Sequence, residues 1–198
     1  ANTVRASIED FSLQNIIEHK SKNLGFFPGS TIGNFCPDDA KKLLKKFAKI
    51  LGKNNYLVIG IDIRKDKKIM EKAYNDSEGI TAEFNKNILK GINKKTGAKF
   101  DANSFEHLAY FNDKKKRIEM HLISKENQTV NVSNKKIKFE KGETIHTENS
   151  YKYSEKEFKE LCNSSGYDVI DFVTDKNKYF GVFFLKVERI WVILILIM

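Results

Sequence analysis

Cysteine, proline and tryptophan are scarce in this sequence, with two, two and one among 198 residues. Two cysteines, Cys36 and Cys162, cannot build a disulfide framework and suit a reducing cytosol. The two prolines stand apart, at Pro28 and Pro37, and no long linker interrupts the chain. Four histidines (His19, His107, His121, His146) show no metal-ligand spacing with the cysteines, so no metal is expected. Long apolar runs are also missing. Trp191–Met198 is apolar but too short to cross a bilayer, and neither a signal peptide nor a spanning helix is visible. No membrane partner is expected.

What is present suits a globular chain with a sizeable core: 40% apolar and 31% charged residues. The formal charge is +9, mostly from lysine. A nucleic-acid surface would gather these lysines on one element. Here the short runs Lys65–Lys68 and Lys114–Arg117 contain or follow acids, which favours lysines scattered over solvated faces. No nucleic-acid partner is expected.

The order of elements is more telling. Val4–Ile8 alternates as a strand does, and Leu24–Phe27 is a short apolar run stopped by Pro28-Gly29-Ser30. A helix follows, with Pro37 in its first turn, Asp38 and Asp39 at its positive end, and Gly52 closing it. Ala40, Leu43, Leu44, Phe47, Ala48 and Leu51 form its apolar stripe. Tyr56–Ile63 is nearly all apolar, as a strand buried on both faces is. Strand, helix, buried strand is the signature of a parallel sheet. Lys67–Tyr74 and Ala82–Asn93 then read as helices, the second with Phe84, Ile88, Leu89 and Ile92 inward. Residues 105–150 are strand-rich, with a strand over Glu143–Glu148. Ser154 and Glu157 make a capping box, and Tyr167–Thr174 and Tyr179–Val187 read as a terminal strand pair.

Phe27-Pro-Gly-Ser-Thr-Ile-Gly-Asn-Phe35 resembles the signature of the histidine-specific, S-adenosylmethionine-dependent methyltransferases of ergothioneine biosynthesis. Ala73-Tyr74-Asn75-Asp76, Gly79–Asn85, Arg117–Leu122 and Thr147–Ser150 resemble the same family in order and spacing, as does Asp10-Phe11. The resemblance runs from about Val4 to Val187. It implies an α/β fold, a Rossmann-like methyltransferase core with an inserted α+β substrate-binding lobe. In that core the sheet runs third, second, first, fourth, fifth, seventh, sixth strand. Val4–Ile8, Leu24–Phe27 and Tyr56–Ile63 then stand as the third, fourth and fifth, and the first two strands are absent. The implied organisation is residues 1–64 as part of the core, 65–150 as the lobe, 151–187 as the end of the core, and 188–198 as an apolar tail.

The resemblance also implies roles. S-adenosylmethionine is the cofactor, with Asp10 and Phe11 at its adenine and Gly29 and Ser30 at its edge. L-histidine is the substrate, methylated on its α-amino group to the trimethylated betaine. Asn34 meets its amino-acid head, Tyr74 its carboxylate or amine, and Phe84 walls the pocket. Met120, Glu148 and Ser150 surround the imidazole, where a carboxylate plus a hydroxyl rejects analogues lacking the ring nitrogens. Ordinary roles stand beside these. Asn34 also suits a turn, Tyr74 and Phe84 a helix core, and Glu148 and Ser150 an exposed sheet face. No group is assigned to remove a proton. Without its first two strands the chain is expected to be an inactive fragment, whose partner is the missing part of its own domain. The expected location is cytoplasmic. The competing classes are methylation of another amino acid or small amine by the same fold, a non-catalytic module that binds histidine or nucleic acid, and a nucleic-acid methyltransferase. The last is disfavoured by the lack of an Asn/Asp-Pro-Pro-aromatic motif.

Overall fold

The computed structural model describes residues 22–190, which fall into two compact units. Residues 22–32, 36–63 and 153–190 form the first, and residues 33–35 and 64–152 the second. The expected strand over 4–8, Asp10, Phe11 and the tail from Trp191 lie outside the described residues. In chain order the elements are β1 (Leu24–Phe27), α1 (Pro37–Leu51), β2 (Tyr56–Asp62), α2 (Lys67–Tyr74), α3 (Ile80–Thr96), β3 (Phe105–Asn112), β4 (Arg117–Ser124), β5 (Gln128–Val132), β6 (Lys135–Phe139), β7 (Thr144–Tyr151), α4 (Glu155–Asn163), β8 (Tyr167–Thr174) and β9 (Phe180–Val187).

The first unit holds a four-stranded sheet in the order β1-β2-β9-β8. β1 and β2 run parallel, Leu24 opposite Tyr56 and Phe27 opposite Ile59, with α1 as the crossover. β9 is antiparallel to both of its neighbours. This is the fourth, fifth, seventh, sixth order of the implied core. β2 is central because Leu57, Ile59 and Ile61 find apolar cover, each at most 2% exposed. α1 buries Ala40, Leu43, Leu44, Ala48 and Leu51 along one stripe. Its Phe47 meets Phe27 edge-on at 5.2 Å, and the buried Tyr167 donates its hydroxyl to the Leu44 carbonyl at 3.0 Å. Ser154 and Glu157 close the expected capping box on α4.

The second unit pairs β3, β4 and β7 into one antiparallel sheet and β5 with β6 into a hairpin. One core cluster joins Leu89 to Phe100, Phe105, Leu122, Val130 and Phe139. A second joins Met70 to Ala109, Phe111, Ile118 and Met120, with Tyr74 against it. Two expectations need correcting. Phe84 and Ile88 do not point inward: they are 63% and 43% exposed. Asn85 takes the inward position, its amide meeting His107 Nδ1 at 2.9 Å and donating to the His121 carbonyl at 3.2 Å. With about 100° between successive helical residues, that turns Phe84 outward. β7 also runs past Glu148 to Tyr151, because the edge of β4 offers Ile118 and Arg117 as partners for Ser150 and Tyr151.

Candidate functional site

Strand periodicity puts a set of side chains on one face of the β3-β4-β7 sheet. Glu148 and Ser150, two apart on β7, share a face. They pair with Met120 and Ile118 of β4, which pair in turn with Ala109 and Phe111 of β3. Apart from Glu148 and Ser150 this patch is apolar, and Met120 is only 3% exposed. A carboxylate and a hydroxyl therefore stand beside an apolar wall. Burial pushes the Glu148 carboxyl above its ordinary range, and nearby Lys152 offsets only part of that rise.

α2 brings Tyr74 to this face, and its neighbours hold it there. Asn75 latches the helix to the β3 backbone: its amide donates to the Ala109 carbonyl at 2.8 Å and accepts from the Ala109 N–H at 3.1 Å. Glu71 accepts from the Phe111 N–H at 2.9 Å. His107 reaches the Tyr74 carbonyl through Nε2 at 2.8 Å. Since Asn85 donates its amide to Nδ1, the Nε2 proton is the one pointing at Tyr74. Asp76 accepts from the Ile80 and Thr81 N–H groups at the start of α3. Three of the four residues of Ala73-Tyr-Asn-Asp76 thus have a visible task.

The Tyr74 hydroxyl lies 2.9 Å from Ser150 Oγ. Lys152, which shares the face of Glu148 and Ser150, is 2% exposed, and its ammonium donates to Tyr74 at 2.8 Å and to Ser150 at 2.9 Å. Its Nζ also sits 4.7 Å from the centroid of the Tyr74 ring. Lys152 is the residue that sequence reasoning missed. The signal was present, since Glu148-x-Ser150-x-Lys152 alternates along a strand. Gly33 was missed as well. A Cβ there would stand 2.9 Å from the Tyr151 carbonyl and 3.5 Å from Ser150 Oγ. Only a residue without a side chain lets the backbone before Asn34 run so near Ser150. Asn34 itself is exposed at the end of a 3-10 turn, Thr31–Asn34.

Of the expected substrate residues, Tyr74, Met120, Glu148 and Ser150 gather on one face, and Asn34 follows Gly33 beside it. Phe84 stands exposed on α3. A polar groove of about 620 Å³ elsewhere in the unit, lined by Asn75, Asp76, Lys86, Glu106, His107 and Lys125 among others, contains none of the six.

In the first unit, Gly29 (φ +75°) and Ser30 (φ +58°) form a left-handed turn after β1. The Ser30 hydroxyl accepts from the Asp62 N–H at 2.8 Å, which fixes the turn. Around Gly29 none of the described residues lies within 4 Å of where a Cβ would be.

The opposite face of the β3-β4-β7 sheet carries a different network. Arg117 donates to Glu119 through Nε at 2.8 Å, and Tyr110 donates to the same carboxylate at 2.6 Å. His121 stacks between Tyr110 and His146 with ring centroids 5.4 and 4.6 Å away. Glu119, His121 and His146 place possible metal-ligand atoms within 4.8 Å of one another. The two imidazole planes lie only 15° apart. Their lone pairs lie in two nearly parallel planes and so do not converge on a point about 2 Å from both nitrogens. Glu119 is already held by Arg117, Asn112 and Tyr110. The group acts as a polar stack.

Among the described residues no helix is long and apolar enough to cross a membrane. A family model described as histidine-specific methyltransferase, SAM-dependent, matches residues 2–187. The histidine N-alpha-methyltransferase of Mycolicibacterium smegmatis is 38% identical over 139 residues, covering 69% of this chain and 43% of that protein. The histidine N-alpha-methyltransferase of Mycobacterium tuberculosis is 34% identical over 168 residues, covering 84% of this chain and 52% of that protein. The chain thus spans about half the length of the curated relatives it matches. A solved S-adenosylmethionine-dependent methyltransferase from Clostridium acetobutylicum aligns over 94% of this chain and 64% of its own, at 12% identity and a TM-score of 0.47.

Proposed function

We propose, for a chain that belongs to the S-adenosylmethionine-dependent, histidine-specific methyltransferase family, that it serves the methylation of the α-amino group of L-histidine to its trimethylated betaine, in the ergothioneine pathway. The observation that carries this reading is the pairing of Glu148 and Ser150 on one sheet face beside Met120, with the Tyr74 hydroxyl 2.9 Å from Ser150. In it Glu148 accepts from an imidazole N–H, Ser150 meets the other ring nitrogen, and Met120 lies along the ring's apolar side. Tyr74 and Asn34 take the amino-acid head. The Asn34 amide oxygen accepts from the amine and leaves the nitrogen lone pair free to react. S-adenosylmethionine would supply a sulfonium methyl group for in-line displacement by that lone pair.

The residues present suit such a cofactor at its edge, because no described residue crowds the turn at Gly29. Ser30 holds the turn, and Asp10 and Phe11 belong to the same proposal at the adenine. The task of the chain's own groups is to hold amine and methyl donor in near-attack geometry and to accept a deprotonated amine. The same reading puts the protein in the cytoplasm, a reducing compartment that suits the free cysteines Cys36 and Cys162.

Calorimetry of the 198-residue chain tests the substrate assignment. Histidine should bind more tightly than tryptophan. Glu148→Ala should weaken histidine by about 1.5–3 kcal/mol, the worth of a charge-assisted hydrogen bond, and tryptophan by much less. Equal losses for the two ligands would reject it.

A further inference from the structure

Lys152, Tyr74 and Ser150 form a closed ring of three hydrogen bonds, and counting its protons decides what the ring offers a ligand. An ammonium only donates. Lys152 donates to Tyr74 Oη at 2.8 Å and to Ser150 Oγ at 2.9 Å, so each hydroxyl oxygen has one lone pair taken. The 2.9 Å contact between the hydroxyls uses one hydroxyl proton. The phenol is the more acidic of the two, and its oxygen is the poorer acceptor because its lone pair is shared with the ring. Tyr74 therefore donates and Ser150 accepts. Both lone pairs of Ser150 are then occupied, and only its own proton is free.

We infer that Lys152 is a positioning residue that makes the Ser150 hydroxyl a donor only, so that the site takes the neutral imidazole of histidine in a single tautomer and rejects the imidazolium. This rests on the substrate reading above. Ser150 donates to the unprotonated ring nitrogen, and Glu148, on the same face of β7, accepts from the protonated one. An imidazolium would set an N–H against the Ser150 proton.

The charges around the site point the same way. Among the described residues, Tyr74 from α2, Glu148 from β7 and Lys152 just after β7 face Ser150. β4 presents Ile118 and Met120, and β3 presents Ala109 and Phe111, all apolar. Gly33, Asn34 and Phe35 carry no titratable group. Glu71 of α2 is bound to the Phe111 N–H, and His107 of β3 is held between Asn85 and the Tyr74 carbonyl. Arg117, Glu119 and His121 alternate to the opposite face. Glu148 alone would favour a cationic ring, but Lys152 opposes it with a like charge in the same patch.

The experiment uses the 198-residue chain, L-histidine labelled with 15N in its ring, and 3-(2-thienyl)alanine, which has no ring nitrogen. With a ring pKa of about 6.5, about a tenth of histidine is neutral at pH 5.5. The histidine Kd should rise about tenfold between pH 7.5 and 5.5, while the thienylalanine Kd stays flat. Bound histidine should show one protonated and one bare ring nitrogen by NMR at pH 6. Lys152→Met returns a lone pair to Ser150, so it should cut the pH penalty to under about threefold and reduce the preference for histidine over thienylalanine. Tyr74→Phe removes the other donor to Ser150 and should flatten the profile in the same direction, which keeps a test available if Lys152→Met does not fold.

A histidine Kd that tightens as pH falls, or a bound imidazolium at pH 6, would overturn the inference. So would Lys152→Met weakening both ligands equally with the pH profile unchanged, as expected of a lysine that merely packs. Failure of the underlying reading looks different: no histidine binding, or Glu148→Ala weakening histidine and tryptophan alike. Histidine binding that depends on Glu148 yet ignores pH would sink the Lys152 inference alone.

Discussion

Asn75 and Gly33 show how single residues set the site without touching its proposed ligand. Asn75 mimics a strand neighbour, exchanging two hydrogen bonds with the Ala109 backbone, and thereby fixes where α2 ends and where the Tyr74 hydroxyl lands. Asn75→Ala should leave the Ala109 N–H and C=O without these partners and cost about 1–3 kcal/mol. Urea denaturation reads this, and a loss under about 0.5 kcal/mol would mean that the latch is idle. Gly33 works by lacking atoms, since any Cβ would meet the Tyr151 carbonyl at 2.9 Å. Neither role is visible in the residue type. Asparagine and glycine in loops ordinarily signal turns.

β4 is the element whose two faces do different work. Ile118 and Met120 line the candidate site, while Arg117 and Glu119 form a buried ion pair with side chains only 10% and 6% exposed. Burial works to raise the Glu119 carboxyl, yet the hydrogen bonds from Tyr110 and Arg117 win and hold it at about 2. A carboxyl depressed in the folded state contributes stability that is complete above its unfolded value, about 4.3, and drains as pH falls towards 2. Thermal midpoints should therefore fall as pH is lowered from about 4.5 to about 2. Glu119→Gln leaves Arg117 buried without its carboxylate and should cost about 3 kcal/mol at pH 7. It should also remove part of the acid slope. A variant with the wild-type slope would show that other carboxylates set it.

At the scale of the whole molecule, the net charge of +9 is the feature most open to misreading. Lys41 lies on α1, Lys94 on α3, and Lys53, Lys114 and Lys141 in connections between elements. Any RNA retained in a gel shift at 50 mM salt should be lost by about 200 mM, since scattered phosphate contacts carry no specificity. Retention of one RNA sequence over others at that salt would revive a nucleic-acid role. The sequence by itself determined the elements and much of their order, because helix and strand periodicities and caps act within a few residues: the α1 stripe, the apolar run of β2 and the Ser154–Glu157 box all stand where the pattern puts them. It also carried Tyr74, Met120, Glu148 and Ser150 as candidates through their motifs. Only the tertiary structure decided which face of α3 is buried, since Asn85 finds its partners on β3 and β4. The Lys152–Tyr74 bond spans 78 positions and the Asn75–Ala109 latch 34. No local pattern encodes such contacts, because hydrogen-bond partners are chosen by the distance between folded elements and not by spacing along the chain.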